Sequence, residues 1–495
     1  MIGRGFPKAP RSYICPSCSR SFKLQSRRHA TAASPDVYDV VCVGGGPAGL
    51  SLLTALRSSK ATSHLRLALI ESQDLERART WNLPPDQFSY RTSSLTPSSL
   101  SFLSQIGAWP NVDTSRVQPY RHMRVWDGLS SNSRISFDAL TSEPPIASMT
   151  ENQNLSRALI TSLDDLPIIS LFDKTSVADI HLGPPLSFPA ESPTSLDLSS
   201  YPHVTLSSNH TIAARLLVGA DGVNSPVRTF AGISTRGWDY DRHGVVATLK
   251  LPPGTGHSRE NPQRVTAYQR FLPSGPIAFL ALPGDYATLV WTTTPPQATR
   301  LKALSTEDFV AMVNAAFRLD VVDLNYMFTL DSGQVDELEW RESVHPGNKA
   351  DLGGETPQHI ASVQEGSIAS FPLRLRHAST YTTNRVALIG DAAHTIHPLA
   401  GQGLNMGLAD SRSLASAVEH AVLHGADIGN EIACLDRYNE EMWMSNNRML
   451  GAVDKLHWLY SATSGPVVGL RGLGLRTVDA LGPVKGWFMR QAGAL

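Results

Sequence analysis

Apolar residues run along this chain in two rhythms, short strand-like bursts and longer helical stripes. Tyr38-Asp-Val-Val-Cys-Val43 is a short apolar strand. A glycine-rich turn follows, and small and apolar residues from Leu50 to about Arg57 predict a helix. A second strand, Leu65–Ile70, ends in Glu71. Leu216-Leu-Val-Gly219 and Val386–Ile389 read as further buried strands, each running into a glycine and an acid. A helix is predicted from near Gly403 to about His424. Between these pieces the rhythm becomes strand-like and alternating at His243–Leu251, Arg264–Phe271, Ile277–Leu282 and Ala287–Thr293. Pro-Gly and Pro-Ser-Gly turns separate these runs, which predicts antiparallel hairpins. Thr306–Phe317 reads as a helix beside them. Residues 431–495 look largely helical, with aromatic and Met residues in Asp436–Trp458 at a spacing suited to packing on the body.

The pattern divides the chain into a discontinuous α/β domain made of 36–115, 148–232 and 368–430, and an inserted antiparallel-sheet domain made of 116–147 and 233–367. A helical segment, 431–495, closes the chain. Two polar, Pro- and Gly-bearing stretches, 183–203 and 341–367, read as insertions. A length of 495 residues accommodates two domains with full cores. No apolar run is long enough to span a bilayer.

Charge changes the picture at the beginning of the chain. Residues 1–35 carry seven Lys or Arg, six serines and no acid. That is the composition of a mitochondrial transit peptide rather than of a secretory signal, because no continuous apolar segment is present. Removing those seven cations from the net charge of −1 leaves the remainder at −8, which argues against nucleic acid as a partner. Cys15-Pro-Ser-Cys18 resembles half a zinc site, but no second ligand pair follows, so no metal is expected. Cys42 and Cys434 lie in unrelated elements, as suits a reducing compartment. The segment Gly469–Arg490 mixes apolar and cationic residues with Asp479 as its one acid. It reads equally as a packed tail or as a surface for anionic lipid.

Candidate chemistry sits at the strand ends. Gly44-Gly-Gly46-Pro-Ala-Gly49 lies between a strand and a helix, and an acid, Glu71, closes the next strand. This is the context of a dinucleotide site. Gly44 makes the turn, Gly46 lets the pyrophosphate approach, Gly49 lets helix pack on strand, and Glu71 takes ribose hydroxyls. The second element is Gly390-Asp391-Ala-Ala-His394, followed by His397-Pro398-Leu-Ala-Gly401-Gln-Gly403-Leu404-Asn405-Met-Gly407-Leu-Ala-Asp410. Asp391 can accept hydrogen bonds from a sugar-like hydroxyl chain. The glycines let backbone approach a flat ring, and the N-terminus of the next helix suits a reduced flavin, whose charge lies near N1 and C2=O. His394 and His397 are spaced i, i+3, but inside a glycine-rich loop with Asp391 alone as an acid they read as structural or flavin-side residues rather than metal ligands. Asp221-Gly222, at the end of the strand Leu216–Gly219, reads as a third contact near the pyrophosphate. Together the three elements point to FAD.

These motifs resemble the flavin-dependent aromatic hydroxylases with the para-hydroxybenzoate hydroxylase fold, and within them the ubiquinone-biosynthesis hydroxylases. His397–Asp410 matches that subfamily's signature at every fixed position, and the resemblance covers about residues 37–495. It implies a Rossmann-like FAD-binding domain with an inserted antiparallel-sheet substrate domain. It adds Arg91, Asn152 and the loop Pro398–Asn405 to the cofactor residues. It further implies ring hydroxylation at C5 of a polyprenylated phenolic precursor, with electrons from NADPH through ferredoxin reductase and ferredoxin. The expected setting is the matrix side of the mitochondrial inner membrane, with peripheral membrane contact, among other subunits of a ubiquinone-biosynthesis complex. Such chemistry asks the protein to bind, orient and exclude water, so the lack of a Ser-His-Asp set is no obstacle. Two alternatives stay open: another aromatic hydroxylase of this fold using NAD(P)H directly, and a flavin-stabilised assembly subunit without turnover. A halogenase is disfavoured, since no Trp-x-Trp-x-x-Pro motif is present.

Overall fold

Val40, Val41, Cys42 and Val43 are all buried, so the first strand, Asp36–Val43, has apolar side chains on both faces. That is the signature of a strand covered by helices on both sides. The structure is a computed structural model that describes residues 35–140, 142–166, 169–185, 197–255, 265–344, 354–396 and 401–461. The first strand lies inside an eight-stranded sheet, between Thr211–Gly219 and Leu67–Ile70. It pairs in parallel with Leu67–Ile70, which pairs in parallel with Ser170–Phe172. On the other side Thr211–Gly219 pairs in parallel with Val386–Leu388. Pro202–Leu206 and Val177–Leu182 extend the sheet as an antiparallel arm.

The helix Pro47–Ser58 begins with proline at its first turn, where the missing N–H costs nothing, and buries most of its length. It packs against the helix Gly403–Leu423, and a Cβ on Gly407 would stand 3.4 Å from the Cβ of Ala48. Ser411 Oγ donates to Ala48 O at 2.8 Å. Small residues at the crossing therefore bring the two helices close.

A second sheet of nine strands stands against the first assembly. Its central order is Ala369–Ala378, Thr235–Lys250, Tyr286–Thr293, Gly275–Leu282, Thr266–Leu272, His122–Asp127. These pairs are antiparallel, except the parallel pair Thr266–Leu272 with His122–Asp127. Helices Pro295–Ala303, Thr306–Arg318, Val321–Met327 and Gln334–Val344 cover one face, closing a core around Trp291, Phe279, Phe309 and Phe317. A small three-stranded sheet, Thr92–Leu95, Ala147–Glu151 and Gln118–Tyr120, lies between the two large ones. From Val37 on, the described residues form one compact unit holding these separate cores.

Several boundaries differ from the sequence reading. The strand expected at His243–Leu251 is the second half of Thr235–Lys250. Its first half is mostly exposed and charged, so it carries no apolar signal; pairing with Ala369–Ala378 holds it through the backbone. The register shifts between Asp239 and His243, where Asp241 has φ +49°. Ala369–Ala378 and His394–Thr395, which the sequence assigned to the flavin domain, join the second sheet. Gln118–Tyr120, assigned to the substrate domain, joins the three-stranded sheet instead. The closing segment is helical through Asp436–Ser461. The basic leader, Cys15 and Cys18, and the tail from Gly469 lie outside the described residues, as do parts of both expected insertions.

Helix Asp436–Ser461 reaches from one large sheet to the other. Tyr438 Oη donates to Leu388 O at 2.6 Å and Trp443 Nε1 to Ala378 O at 3.0 Å. Further along, Tyr240 Oη donates to Asp454 at 3.2 Å. Tyr460 stacks on Phe271 with ring centroids 3.9 Å apart.

Candidate cofactor and active site

The glycine and acid motifs meet at the strand ends of the first sheet. Gly44 has φ +108°, and a Cβ there would fall 2.2 Å from Ala220 O. A Cβ on Gly49 would fall 2.1 Å from Gly44 O. Both glycines are demanded by the fold itself. Gly46 is different: nothing lies within 4 Å of its Cβ position. The backbone around Gly46 is therefore bare for a reason the protein alone does not supply, and a group as large as a pyrophosphate fits that requirement.

Glu71 closes the second strand as expected. Its Oε2 accepts from Gly45 N at 2.5 Å and its Oε1 from Gln73 N at 2.7 Å. These bonds aim the carboxylate at the glycine turn and leave lone pairs for hydroxyl donors. Asp221 Oδ2 accepts from Val227 N at 3.1 Å, whereas Oδ1 is buried without a partner among the described residues. Burial pushes the Asp221 carboxyl above its usual range, against the Ser225 hydroxyl and the Val227 N–H. Gly222 follows with φ +81°. Arg228 ties this turn to the next element, donating to Val223 O at 2.7 Å and to Ala392 O at 2.8 Å.

Gly390 takes φ +59°, with Ala48 3.3 Å from its Cβ position. Its N–H donates to Asp410 Oδ2 at 2.9 Å. Asp391 then stands exposed to solvent, with the protein packed closely around it. Desolvation raises its pKa, and His394 counters that rise. A carboxylate in such a place is suited to hydroxyl donors.

The sequence left one partner of this element unread. His394 Nε2 and Asp410 Oδ2 lie 2.6 Å apart, and both side chains are fully buried. Asn446 Nδ2, from the helix Asp436–Ser461, donates to Asp410 Oδ1 at 3.0 Å. Burial alone would depress the His394 imidazolium, but Asp410 and Asp391 reverse the sign and its pKa is raised. Next to it, His377 is held down to about 4 by burial and by His394; its Nε2 lies 2.9 Å from Tyr381 Oη. His394 is thus engaged by Asp410, and His397 and Pro398 lie outside the described residues. The signal for Asp410 and Asn446 was weak because their partners are 16 and 36 residues distant.

The helix Gly403–Leu423 starts where the sequence placed it. Met406 N returns to Gln402 O, so the N–H groups of Gly403, Leu404 and Asn405 precede the intrahelical ladder. The Asn405 side chain has another use. Its Oδ1 accepts from Thr96 N at 3.0 Å and Ser99 Oγ at 2.8 Å, while Nδ2 donates to Ser94 O at 2.8 Å. It pins the helix to the strand Thr92–Leu95, which leaves only its backbone for a cofactor. Gly401, at φ +58°, passes beside Ser94, whose hydroxyl lies 2.9 Å from Tyr120 Oη. Arg91 is exposed at the head of the same strand, its carbonyl accepting from Asn152 N at 3.0 Å. Asn152 Oδ1 accepts from Ser93 Oγ at 2.6 Å. Beneath them Glu151 and Arg116 form a buried pair at 2.5 Å that holds the stretch 83–89 through Gln87 O and Ser89 N.

The open Gly46 turn, the unpartnered Asp221 oxygen and the exposed Asp391 carboxylate make a donor and acceptor set that fits FAD. Comparison with known proteins agrees. The chain matches the FAD binding domain family over residues 37–328 and 325–450. It is 39% identical over 456 residues to the mitochondrial ubiquinone biosynthesis monooxygenase COQ6 of Schizosaccharomyces pombe, covering 91% of each chain. It is 38% identical to that of Saccharomyces cerevisiae over 96% of this chain and 98% of the relative. With the Homo sapiens protein it shares 36% over 93% of each. In fold it resembles pqsL, a probable FAD-dependent monooxygenase from Pseudomonas aeruginosa, with a TM-score of 0.61 at 18% identity over 89% of this chain and 100% of that one. The p-nitrophenol 4-monooxygenase PnpA from Pseudomonas putida is similar in the same way, with a TM-score of 0.61 at 16% identity over 93% of this chain and 99% of that one. The chain therefore belongs to the ubiquinone biosynthesis monooxygenases and is an FAD-dependent monooxygenase of that family.

Proposed function

We propose that this chain hydroxylates C5 of the aromatic ring of a polyprenylated 4-hydroxybenzoate-type precursor of ubiquinone. Gly44–Gly49 would hold the FAD pyrophosphate, Glu71 a ribose, Asp391 the ribityl hydroxyls, and the N–H groups at 403–405 the pyrimidine side of the ring. Arg91, Asn152, Asp221, Gly222 and the stretch from Pro398 to Gly401 complete the set. Bound FAD, once reduced, supplies the oxidant from molecular oxygen, and the phenol supplies the electron-rich carbon. The protein's part is to hold the two against each other and keep water out.

One observation carries the reading of a greasy substrate. On the side of the second sheet away from its helices, Ala278, Leu280 and Val290 remain partly exposed. That apolar surface is suited to a ring with a prenyl chain. The family resemblance implies electrons from NADPH through ferredoxin reductase and ferredoxin, and a single dinucleotide fingerprint, which FAD takes, fits that route. No described helix is long and apolar enough to cross a membrane, in keeping with peripheral contact at the matrix face of the mitochondrial inner membrane, beside other subunits of the pathway.

The test is turnover of a prenylated 4-hydroxybenzoate by the FAD-loaded protein under isotopically labelled oxygen gas. The expected product carries one labelled hydroxyl at C5, formed rapidly only with ferredoxin and its reductase. A labelled hydroxyl at another carbon would remove the C5 assignment. Equal rates with NADPH alone would remove the ferredoxin route. Absence of turnover with an intact flavin would favour the assembly-subunit alternative.

A further inference from the structure

The central strands of the second sheet carry one row of side chains that is unlike its neighbours. Gln269 stands opposite Ala278, Ala278 opposite Val290, and Val290 opposite Val246. Alternation along a strand puts this row on the face away from the helices, since Tyr268, Phe279, Leu289 and Val245 enter the helical core. The rows to either side are packed against other parts of the chain, Leu280 only in part. Ala267 and Leu280 pack with Phe88, Tyr120 and Met149, and Phe271 lies under the ring of Tyr460. Between these two lines of contact Ala278 and Val290 keep partial exposure, so the row is not fully covered by the described residues.

Gln269 is the one polar side chain among these four. It is 7% exposed, and its side-chain amide makes no hydrogen bond among the described residues. Its amide atoms keep some contact with solvent, so on this face they are open to a bonding partner. A ligand on that face completes such a group.

We propose that the Gln269 amide is the polar anchor of the substrate cavity. It hydrogen-bonds the ring hydroxyl of a phenolic substrate, and the substrate's apolar substituent lies along Ala278, Val290 and Val246. The proposal rests on the reading of this chain as a hydroxylase of prenylated phenols. It makes Gln269 a specificity residue, one that selects for an oxygen on the ring rather than for the prenyl chain.

The test uses the FAD-loaded wild type and Gln269→Leu, with binding followed by the change in flavin absorbance. The probes are 3-prenyl-4-hydroxybenzoate and the matching 3-prenylbenzoate, which lacks the ring hydroxyl. The wild type is expected to favour the hydroxylated probe by on the order of 10- to 100-fold. Gln269→Leu loses that preference by binding the hydroxylated probe more weakly and the other one unchanged. In turnover the loss appears in KM before kcat. FAD content and the thermal midpoint are unchanged; a midpoint that falls marks Gln269 as a structural residue and overturns the proposal. So does an equal loss for both probes, or a wild type that binds both alike. Unprenylated 4-hydroxybenzoate and benzoate separate the two readings. If they show the Gln269-dependent preference while the prenylated pair does not bind, the anchor stands and the prenylated substrate falls.

Discussion

At Gly46 the fold makes no demand of its own for a glycine, unlike at Gly44 and Gly49. Gly44 and Gly49 would drive a Cβ into backbone oxygen, so replacing them damages the protein before any ligand is considered. Gly46 has open space, so Gly46→Val is expected to fold with a thermal midpoint close to that of the wild-type apoprotein and to purify colourless. A variant that keeps full flavin absorbance would show that the pyrophosphate lies elsewhere. The His394–Asp410 pair makes a second residue-scale prediction. Because folding raises the His394 pKa, its contribution is full below about pH 6.5 and is lost as pH rises through the folded value. His377, held at about 4, acts oppositely, and only as pH falls from about 6.5 toward that value. Asp410→Asn should therefore cost about 3 kcal/mol near pH 6.5, and less as pH rises toward 9. Denaturant unfolding at several pH values checks this; parallel curves for the two proteins would mean that the pair carries no proton linkage.

The helix Gly403–Leu423 shows how an element can be pinned by one end and used at the same end. Asn405 fastens its first turn to Thr92–Leu95 from inside, which leaves three backbone N–H groups pointing out of the ladder. Each such donor aimed at a reduced flavin is worth roughly 1–3 kcal/mol in a dry site. At Gly403 a Cβ would meet Ile396 at 3.7 Å, an ordinary contact, so Gly403→Val should keep the helix. It is expected to push the ring away, lowering the flavin midpoint potential and slowing hydroxylation, with only partial loss of FAD. Redox titration decides it: an unchanged potential with unchanged turnover would reduce this loop to packing. The helix Asp436–Ser461 works differently, because Asn446 reaches Asp410 at one end and Tyr460 reaches Phe271 at the other. It joins the turn at Gly390 and Asp391, through Asp410, to the second sheet.

For the whole molecule, the uneven charge is the feature with a consequence. Seven cations and no acid in residues 1–35, ahead of a remainder near −8, suit import followed by removal of the leader. Protein purified from mitochondria is expected to begin between residues 20 and 36. A first residue of Met1 in that material would refute cleavage.

How much of this was legible in the chain depended on distance along it. The cofactor strands and glycine turns could be read directly, because each needs only neighbours: an apolar run, a glycine where backbone must turn or be approached, an acid at the strand end. Gly44, Gly46, Glu71, Asp391 and the start of the helix at Gly403 belong to that class, as does the antiparallel rhythm from 243 to 293. Asn405 was legible as a motif position but not as the staple it forms with Thr96, more than three hundred residues before it. Thr235–Arg242 hid its strand because Tyr240 is its one buried residue among exposed and charged neighbours, and a partner's backbone holds the rest. Asp410 with His394, Asn446 behind them, and the placement of Gln269 on the face of the second sheet away from its helices became visible only in three dimensions. Local pattern records which way a residue must turn, whereas the partner of a buried polar group is chosen by how sheets and helices stack, and that is a property of the packed whole.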